Sequence, residues 1–222
     1  MLQQERKNLM KIGIIGAGNV GGTLGKLWAA SGHDIKFGVR APADKKISTL
    51  LAECGARASA GSIAEAAAFG EVIALTTPWD AAKSAIGAAG KLSGKILVDC
   101  TNPVALGGNV MAGLAIGHTT SAAEEVARWA NGAKVVKAFN TTGADNMANP
   151  RYGSDKAVMF IAGDDAAAKS RVTQLSNELG FETIDAGPLR QARLLEPVAM
   201  LWISLAFAQG LGRNFAFKLL RR

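Results

Sequence analysis

The feature that most constrains this chain is a glycine-rich segment close to its start. Residues 16–21 have the sequence GAGNVG, follow the apolar run 12–15 and precede apolar residues at helical spacing. Glycines spaced in this way permit a tight turn from strand to helix and let backbone N–H groups approach a pyrophosphate. The order of strand, glycines and helix therefore predicts a dinucleotide site that includes Gly16, Gly18 and Gly21. A tight glycine turn without a ligand is the alternative.

Short apolar runs alternate with helical patterns along the chain. Near-continuous apolar strands separated by helices are typical of a parallel sheet covered on both faces, and right-handed crossovers make the fold doubly wound. We therefore predict an α/β fold with a mostly parallel sheet of the Rossmann type. The predicted strands are 11–15, 35–39, 56–59, 72–76, 96–99, 134–138, 157–162 and 182–184, and the predicted later helices are 44–53, 62–69, 80–89, 120–130 and 166–179.

The pattern changes after residue 187, where no further strand is predicted. Residues 10–187 are expected to form the dinucleotide-binding Rossmann domain. Residues 188–222 are expected to form a small C-terminal helical extension, with its helix running from Leu194 to about Leu220. This tail is too apolar to stand alone, so we expect it to pack on the sheet domain or at the interface of a dimer.

Composition and charge exclude several classes of protein. Apolar residues make up 49% and charged residues 19%, as in ordinary globular domains. The longest apolar stretch, 197–208, is shorter than the roughly 18 residues that suggest a membrane span. The net charge is +7, but no basic stripe interleaved with aromatic residues predicts nucleic-acid binding. Cys54 and Cys100 share no metal-ligand spacing, so we expect free thiols in a cytoplasmic protein and no metal site.

The residue at the end of the second predicted strand indicates which dinucleotide is bound. NAD-binding proteins usually have an acidic residue at this place, where it binds the ribose hydroxyls. This chain has Arg40 instead, followed by Lys45 and Lys46. A guanidinium binds a 2′-phosphate through charge-assisted hydrogen bonds, whereas a carboxylate repels it. Arg40 therefore predicts NADP(H), with Lys45 or Lys46 as a further phosphate contact; a solvated arginine is the alternative.

Polar residues follow three other predicted strands. Thr77, Pro78 and Trp79 follow the fourth strand, Asn102 follows the fifth and Asn140 follows the sixth. Because the carboxyl ends of parallel strands share one edge of a sheet, we expect these residues to line the cofactor crevice. Asn102 can offer a donor and an acceptor to a carboxamide. Packing at the start of a helix is the alternative role for Trp79.

No residue of this sequence is predicted to be catalytic. It contains no recognisable Ser/His/Asp triad, no recognisable constellation of paired catalytic carboxylates and no HExxH segment. Hydride transfer between two bound cofactors needs none of these, because the protein then supplies placement and excludes water.

Together these segments resemble the NADPH-dependent coenzyme F420 reductases and the related cytosolic oxidoreductase domains of the STEAP metalloreductases. The resemblance covers most of the chain, and the most family-specific segment is the last. It rests on 12–40, LTTPWDAA at 75–82, TSAAEEVA at 120–127, AGDD at 162–165 and DAGPLRQARLLEP at 185–197.

The resemblance implies a Rossmann domain with a small helical part, NADP(H) as cofactor, hydride exchange with a deazaflavin or flavin, and a homodimer. It places Gly18, Asn19 and Val20 at the pyrophosphate and Arg40 at the 2′-phosphate. It also places the residues 77–79 beside the nicotinamide.

Two positions depart from the pattern of this family. Val39 stands where the family commonly has a serine directly before the arginine. Asn140 stands where the F420 enzymes often have a histidine-containing LHT-type sequence. F420, FMN, FAD or another small molecule therefore stay open as the hydride acceptor.

Two other functions are considered beside this one. Reduction of an imine or a carbonyl usually needs a longer helical substrate domain than the residues after Pro188 provide. A non-catalytic module that binds NADP(H) and reports redox state would explain why no acid or base is evident. The preferred expectation is an NADP-dependent oxidoreductase.

Replacing Arg40 with alanine should weaken NADPH binding by about 1.5–3 kcal/mol, the scale of a hydrogen bond to a charged group. NADH binding should barely change, because NADH has no 2′-phosphate. Calorimetric titration of both cofactors would measure the difference. Equal losses for the two cofactors would refute the assignment of Arg40.

Overall fold

The computed structural model describes residues 9–107 and 110–222. Its strands are β1 (Lys11–Ile15), β2 (Asp34–Gly38), β3 (Ala58–Gly61), β4 (Val72–Leu75), β5 (Ile96–Asp99), β6 (Val104–Gly107), β7 (Val110–Leu114), β8 (Lys134–Lys137), β9 (Arg151–Tyr152), β10 (Asp155–Lys156), β11 (Val158–Gly163) and β12 (Glu182–Asp185). Its α-helices are α1 (Asn19–Ala30), α2 (Lys45–Cys54), α3 (Ile63–Phe69), α4 (Trp79–Ala89), α5 (Ala122–Trp129), α6 (Ala144–Ala148), α7 (Ala166–Glu178) and α8 (Ala192–Ile203).

The main sheet of the described residues has the strand order β12-β11-β8-β5-β4-β1-β2-β3. The first six strands of this sheet along the chain are parallel, and β11 runs antiparallel to β8 while β12 is parallel to β11. The chain order reverses between β1 and β4, which is the switch point where doubly wound sheets bind ligands. The predicted mostly parallel Rossmann sheet is confirmed.

Two apolar cores cover the two faces of this sheet. One contains Trp28 of α1, Met147 of α6 and Val172 of α7, packed on strand residues such as Ile14. The other joins the helices α4 and α5 to the opposite face, and Ala192 at the start of α8 belongs to it. The first turn of α8 therefore packs on the sheet, while the division of the chain at residue 187 stays a prediction.

Helix α1 lies unusually close to the sheet because one of its buried residues is glycine. A Cβ added at Gly25 would lie 2.3 Å from Cζ of Phe37, whose side chain is fully buried on β2. Farther along the helix, the Trp28 ring meets the edge of Phe139 at 5.7 Å and its Nε1 donates to the carbonyl of Leu175 at 3.3 Å. These contacts fix the direction in which the N-terminus of α1 points.

The predicted C-terminal helix is too long. Helix α8 ends at Ile203, a π-helical turn follows over Ser204–Ala208, and residues 209–222 form neither helix nor strand. Gly210 and Gly212 both have a φ of 73°, a left-handed conformation that ends the helix. The segment then crosses back to the sheet, where the N–H of Val158 donates to the carbonyl of Phe217 at 2.9 Å.

Two small hairpins were absent from the prediction. Strands β6 and β7 form an antiparallel hairpin after β5, and β9 and β10 form another after α6. Glycine-containing turns between short strands are a recognised hairpin signal, and Gly153 lies at such a place with a φ of 64°. A capping box begins α3, with the Ser62 hydroxyl accepting from the Glu65 N–H and the Glu65 carboxylate accepting from the Ser62 N–H.

Replacing Gly25 with alanine should lower the free energy of unfolding by about 1–3 kcal/mol, the usual cost of overpacking a core. The matched control is Gly22→Ala in the same helix, where the new Cβ meets nothing closer than Leu50 Cδ1 at 3.6 Å. The control should be stabilised by about 0.5–1 kcal/mol, because alanine favours the helix. Urea denaturation measures both values, and equal effects of the two substitutions would contradict this packing.

Candidate dinucleotide site

Each glycine of the loop at 16–21 has a different structural role. Gly16 has a φ of 103°, and its N–H donates to the carbonyl of Gly38 at 3.0 Å, which joins the loop to the end of β2. A Cβ at Gly21 would lie 2.3 Å from the carbonyl oxygen of Gly16, so only glycine lets the helix start this close to the strand. A Cβ at Gly18 would meet nothing within 4 Å among the described residues. Gly18 therefore borders open space rather than protein.

The N-terminus of α1 adjoins that open space. Gly18 is the N-cap residue, and no side chain caps the helix. Asn19 and Val20 begin the first turn, which contains no acidic residue. The first N–H groups of a helix have no partner within it and carry a partial positive charge, so this end of α1 can receive the oxygens of a pyrophosphate.

The basic residues predicted to bind a 2′-phosphate lie at the carboxyl end of β2. Arg40 is exposed, and within residues 9–107 and 110–222 its guanidinium makes no hydrogen bond or ion pair. Lys45 is the first residue of α2 and Lys46 the second, both exposed. The Asp44 carboxylate accepts from the Lys46 N–H at 2.7 Å and so caps this helix. The two lysines thus lie at a helix start whose cap is already provided by a side chain.

The residues that follow β4 lie next to the glycine loop at the carboxyl edge of the sheet. The Thr76 hydroxyl donates to the carbonyls of Ile15 and Gly16, at 3.0 and 3.1 Å, and so joins β4 to the glycine loop. The Thr77 Oγ1 atom is buried without a hydrogen-bond partner among the described residues. Pro78 is the exposed N-cap residue of α4, and Trp79 stacks on Trp129 with ring centroids 5.2 Å apart. Trp79 therefore packs against α5, and its predicted place beside the nicotinamide stays a prediction.

The sheet brings Asn102 and Asn140 together, although they follow different strands. The Asn102 amide donates to the Asn140 carbonyl at 2.9 Å, and the Asn140 amide donates to Asn102 Oδ1 at 3.1 Å. The Asn140 amide also donates to the carbonyl of Leu195 at 3.3 Å, in α8. Since Nδ2 of Asn140 faces two oxygen acceptors, the orientation of its amide is fixed. Its Oδ1 atom is buried and has no partner in the described part of the chain.

The preceding residue, Phe139, has a φ of 58° although it is not glycine. Its ring is buried against Trp28 and Phe181, and its N–H faces the sulfur of Met159 at 3.1 Å. A left-handed conformation costs free energy in such a residue and persists where its surroundings impose it. Here the core imposes the turn after β8 that places Asn140 at the edge of the sheet.

Beneath this pair lies a buried ionic cluster made by Lys137, Asp99 and Glu196. The lysine Nζ atom lies 2.9 Å from Asp99 Oδ2 and 3.0 Å from Glu196 Oε1, and all three side chains are almost completely buried. Burial alone would lower the pKa of Lys137, but the two carboxylates raise it above the ordinary lysine value. Burial raises the pKa of Glu196, with Lys137 opposing that change.

This cluster was missed in the sequence, although a signal for it was present. Lys137 ends an apolar strand, Asp99 ends another, and Glu196 lies in an apolar helix. Charged residues within such segments are seldom buried unless they are paired. The sequence could therefore have shown that partners were needed, but not which acidic residue would supply them.

Cys100 lies beside this cluster but contributes no charge to it. It is buried and unpaired, and burial beside Asp99 raises the pKa of its thiol well above the ordinary cysteine range. The thiol is therefore protonated at neutral pH and is not available as a thiolate. In the described residues no group of three or more His, Cys, Asp and Glu side chains is arranged to hold a metal ion.

The geometry fits a dinucleotide along this edge. Gly18 borders open space at the helix N-terminus, Arg40 is a cation without a partner among the described residues, and the two buried acceptors Thr77 Oγ1 and Asn140 Oδ1 lack donors there. Buried polar atoms without partners are rare in proteins and point to a ligand or an ordered water. One half of the candidate site, around Gly18 and Arg40, can thus receive phosphate groups. The other half has the two buried oxygens, which can accept hydrogen bonds from a ligand.

Comparison with known proteins agrees with this geometry. The family described as NADP oxidoreductase, coenzyme F420-dependent, matches residues 11–103. A crystal structure from Arthrobacter sp. FB24, of a protein proposed to be an F420-dependent NADP reductase, is 35% identical. It covers 96% of this chain and 100% of its own, with a TM-score of 0.87. The chain belongs to the F420-dependent NADP oxidoreductase family. This family membership confirms the expectation of an NADP-dependent oxidoreductase.

Three further proteins extend the comparison. A hypothetical protein from Sinorhizobium meliloti is 29% identical, with a TM-score of 0.71 over 83% of this chain and 88% of its own. The metalloreductase STEAP3 of Rattus norvegicus is 31% identical over 200 residues, which are 90% of this chain. The chain spans only 38% of the length of that curated relative. A reductive aminase from Aspergillus terreus is 20% identical, with a TM-score of 0.65 over 91% of this chain and 63% of its own, and this likeness shows the fold alone.

The segments that carry the family resemblance meet one another in the structure. The N–H of Gly163, within AGDD, donates to the carbonyl of Gly187 at 3.0 Å, and Asp164 accepts from the N–H of Leu189 at 2.9 Å. Arg193 of α8 donates two hydrogen bonds to Glu124 of α5, at 2.8 and 2.6 Å. The hydrogen bonds between these segments therefore hold α8 on the sheet. None of these four bonds involves the glycine loop.

Proposed function

We propose that this protein transfers hydride between NADPH and a deazaflavin or flavin. The observation that carries the proposal is the likeness to the Arthrobacter protein over the whole of both chains, since that protein has been proposed to be an F420-dependent NADP reductase. The Arg40 side chain, exposed and without a partner in the described residues, supports NADP(H) over NAD(H).

The proposed cofactor would lie across the carboxyl edge of the sheet. Gly18, Asn19 and Val20 would bind the pyrophosphate, and Arg40 with Lys45 would bind the 2′-phosphate. The nicotinamide end would then lie over the ends of β4, β5 and β8, where Thr77 and the Asn102–Asn140 pair lie. When bound, the nicotinamide supplies the hydride. The protein would hold the ring in place and keep water away from it.

The hydride acceptor is the least constrained part of this proposal. The buried Asn140 side chain stands where F420 enzymes often have histidine, and FMN or FAD are therefore included beside F420 as acceptors. Lys137 at the end of β8 and Glu196 in α8 are sealed from solvent and therefore cannot act as an acid on a carbonyl or imine. Transfer between two cofactors needs no such acid.

Mixing the protein with NADPH and either F420, FMN or FAD should lead to loss of NADPH absorbance with at least one of them. NADH should react more slowly, because it lacks the 2′-phosphate. Arg57→Ala, which removes an exposed arginine paired with Asp34, is the control and should react like the unmodified protein. Tight NADPH binding with no turnover would favour a redox-reporting module, and turnover only with imines or carbonyl compounds would refute the proposed acceptor.

We also propose that the protein is a homodimer formed through the outer face of α8 and the turn after it. Four large apolar side chains are more than half exposed along α8 and the turn after it, where a second copy of the chain would cover them: Leu194, Leu201, Phe207 and Leu211. Sedimentation should give a mass near twice the 23.0 kDa of the chain, and Leu201→Glu should reduce it to that of one chain. Leu9→Glu, at an exposed leucine outside this surface, should leave the dimer intact; a single-chain mass for the unmodified protein would overturn the proposal.

A further inference from the structure

The buried cation Lys137 has no direct route to a ligand. Its side chain has no exposed surface, and it donates to Asp99, to Glu196 and to the carbonyl of Thr101. Three acceptors satisfy the three hydrogens of its ammonium group. Any effect of Lys137 on the cofactor edge must therefore pass through its neighbours.

The first route runs through the loop after β5. Asp99 Oδ1 accepts from both the N–H and the hydroxyl of Thr101, at 2.9 and 2.7 Å, while the carbonyl of Thr101 accepts from Lys137. Every polar group of Thr101 is thus bound to the ionic cluster. The next residue is Asn102, so the cluster fixes the backbone from which this amide projects.

The second route runs through α8. Glu196 accepts from Lys137 and also from the N–H groups of Ala122 and Ala123 at the start of α5, at 2.9 and 3.1 Å. The carbonyl of the preceding residue, Leu195, accepts from the Asn140 amide. Holding Glu196 therefore also holds the acceptor that orients Asn140.

The two routes meet at one atom. Both hydrogens of the Asn140 amide are used, by Asn102 and by Leu195, so Oδ1 points in a fixed direction. Asn140 is only 4% exposed, and this oxygen has no donor among the described residues. A buried acceptor without a partner is costly, and a ligand that brings an N–H removes that cost. The amide hydrogens of a carboxamide are such donors.

We infer that Lys137 is a positioning residue for the nicotinamide end of the cofactor. Through Thr101 and Glu196 it fixes the Asn102–Asn140 pair, so that Asn140 Oδ1 is ready to accept an N–H of the carboxamide. The inference rests on the proposed binding of NADP(H). It assigns to the ionic cluster a role in cofactor recognition in addition to its role in the core.

The test compares NADPH with adenosine 2′,5′-bisphosphate, which carries the 2′-phosphate but has no nicotinamide. In Lys137→Met, the dissociation constant for NADPH should rise about tenfold, the scale of one or two lost hydrogen bonds. The constant for the bisphosphate should stay within about twofold, because the half of the site around Arg40 is unchanged. Calorimetric titration with each ligand measures both dissociation constants and does not require the enzyme to turn over. Lys134→Met, on the same strand but exposed and paired with Asp165, is the matched control and should change neither constant.

The double variant Lys137→Met/Glu196→Gln provides the same comparison with fewer unpaired charges in the core, and it is used if the single variant does not fold. Equal weakening of both ligands, or no weakening of either, would overturn the inference. Failure of both variants to fold would also overturn it, since the cluster would then serve the fold as a whole. If the unmodified protein binds neither ligand, the proposed function itself fails.

Discussion

The buried ammonium group of Lys137 is the interaction that joins β5, β8 and α8 beside the candidate dinucleotide site. A lysine in the interior of a sheet is stable only when carboxylates neutralise it. Asp99 comes from the neighbouring strand β5, whereas Glu196 comes from α8, far along the chain. The need to pair one charge thus brings the C-terminal helix onto the sheet. The same Glu196 carboxylate caps α5, so two strands and two helices are joined at one point.

The two halves of the candidate site are built by different physical means. At the pyrophosphate half, backbone sterics decide: Gly16 adopts a left-handed turn, and Gly21 lets the helix begin almost in contact with the strand. At the other half, side-chain hydrogen bonds decide, and they leave one oxygen of Asn140 without a partner in residues 9–107 and 110–222. A site of this kind is rigid at both ends, which suits an enzyme whose task is to hold two reactants at a set distance.

Much of the fold could be predicted from the sequence because its signals are local. The bounds of the six parallel strands, predicted from their apolar runs, agree with the structure within a few residues. The tail was predicted wrongly for a tertiary reason. Residues 209–222 are apolar enough to continue a helix, but two left-handed glycines redirect them, and Phe215 stacks on Trp202 with ring centroids 5.3 Å apart. Such a contact is not visible in the periodicity of the segment.

The sequence by itself determined the kind of fold, the glycine loop and the basic residue that follows the second strand. These depend on the steric limits of single residues and on the spacing of apolar side chains, which act within short stretches of chain. Only the tertiary structure decided which acids neutralise Lys137, that Trp79 packs on Trp129, and that Asn102 and Asn140 form a pair in which one acceptor has no donor among the residues that the structure describes. The reason is that pairing of buried polar groups depends on which distant segments the sheet brings together, and no local pattern records that choice.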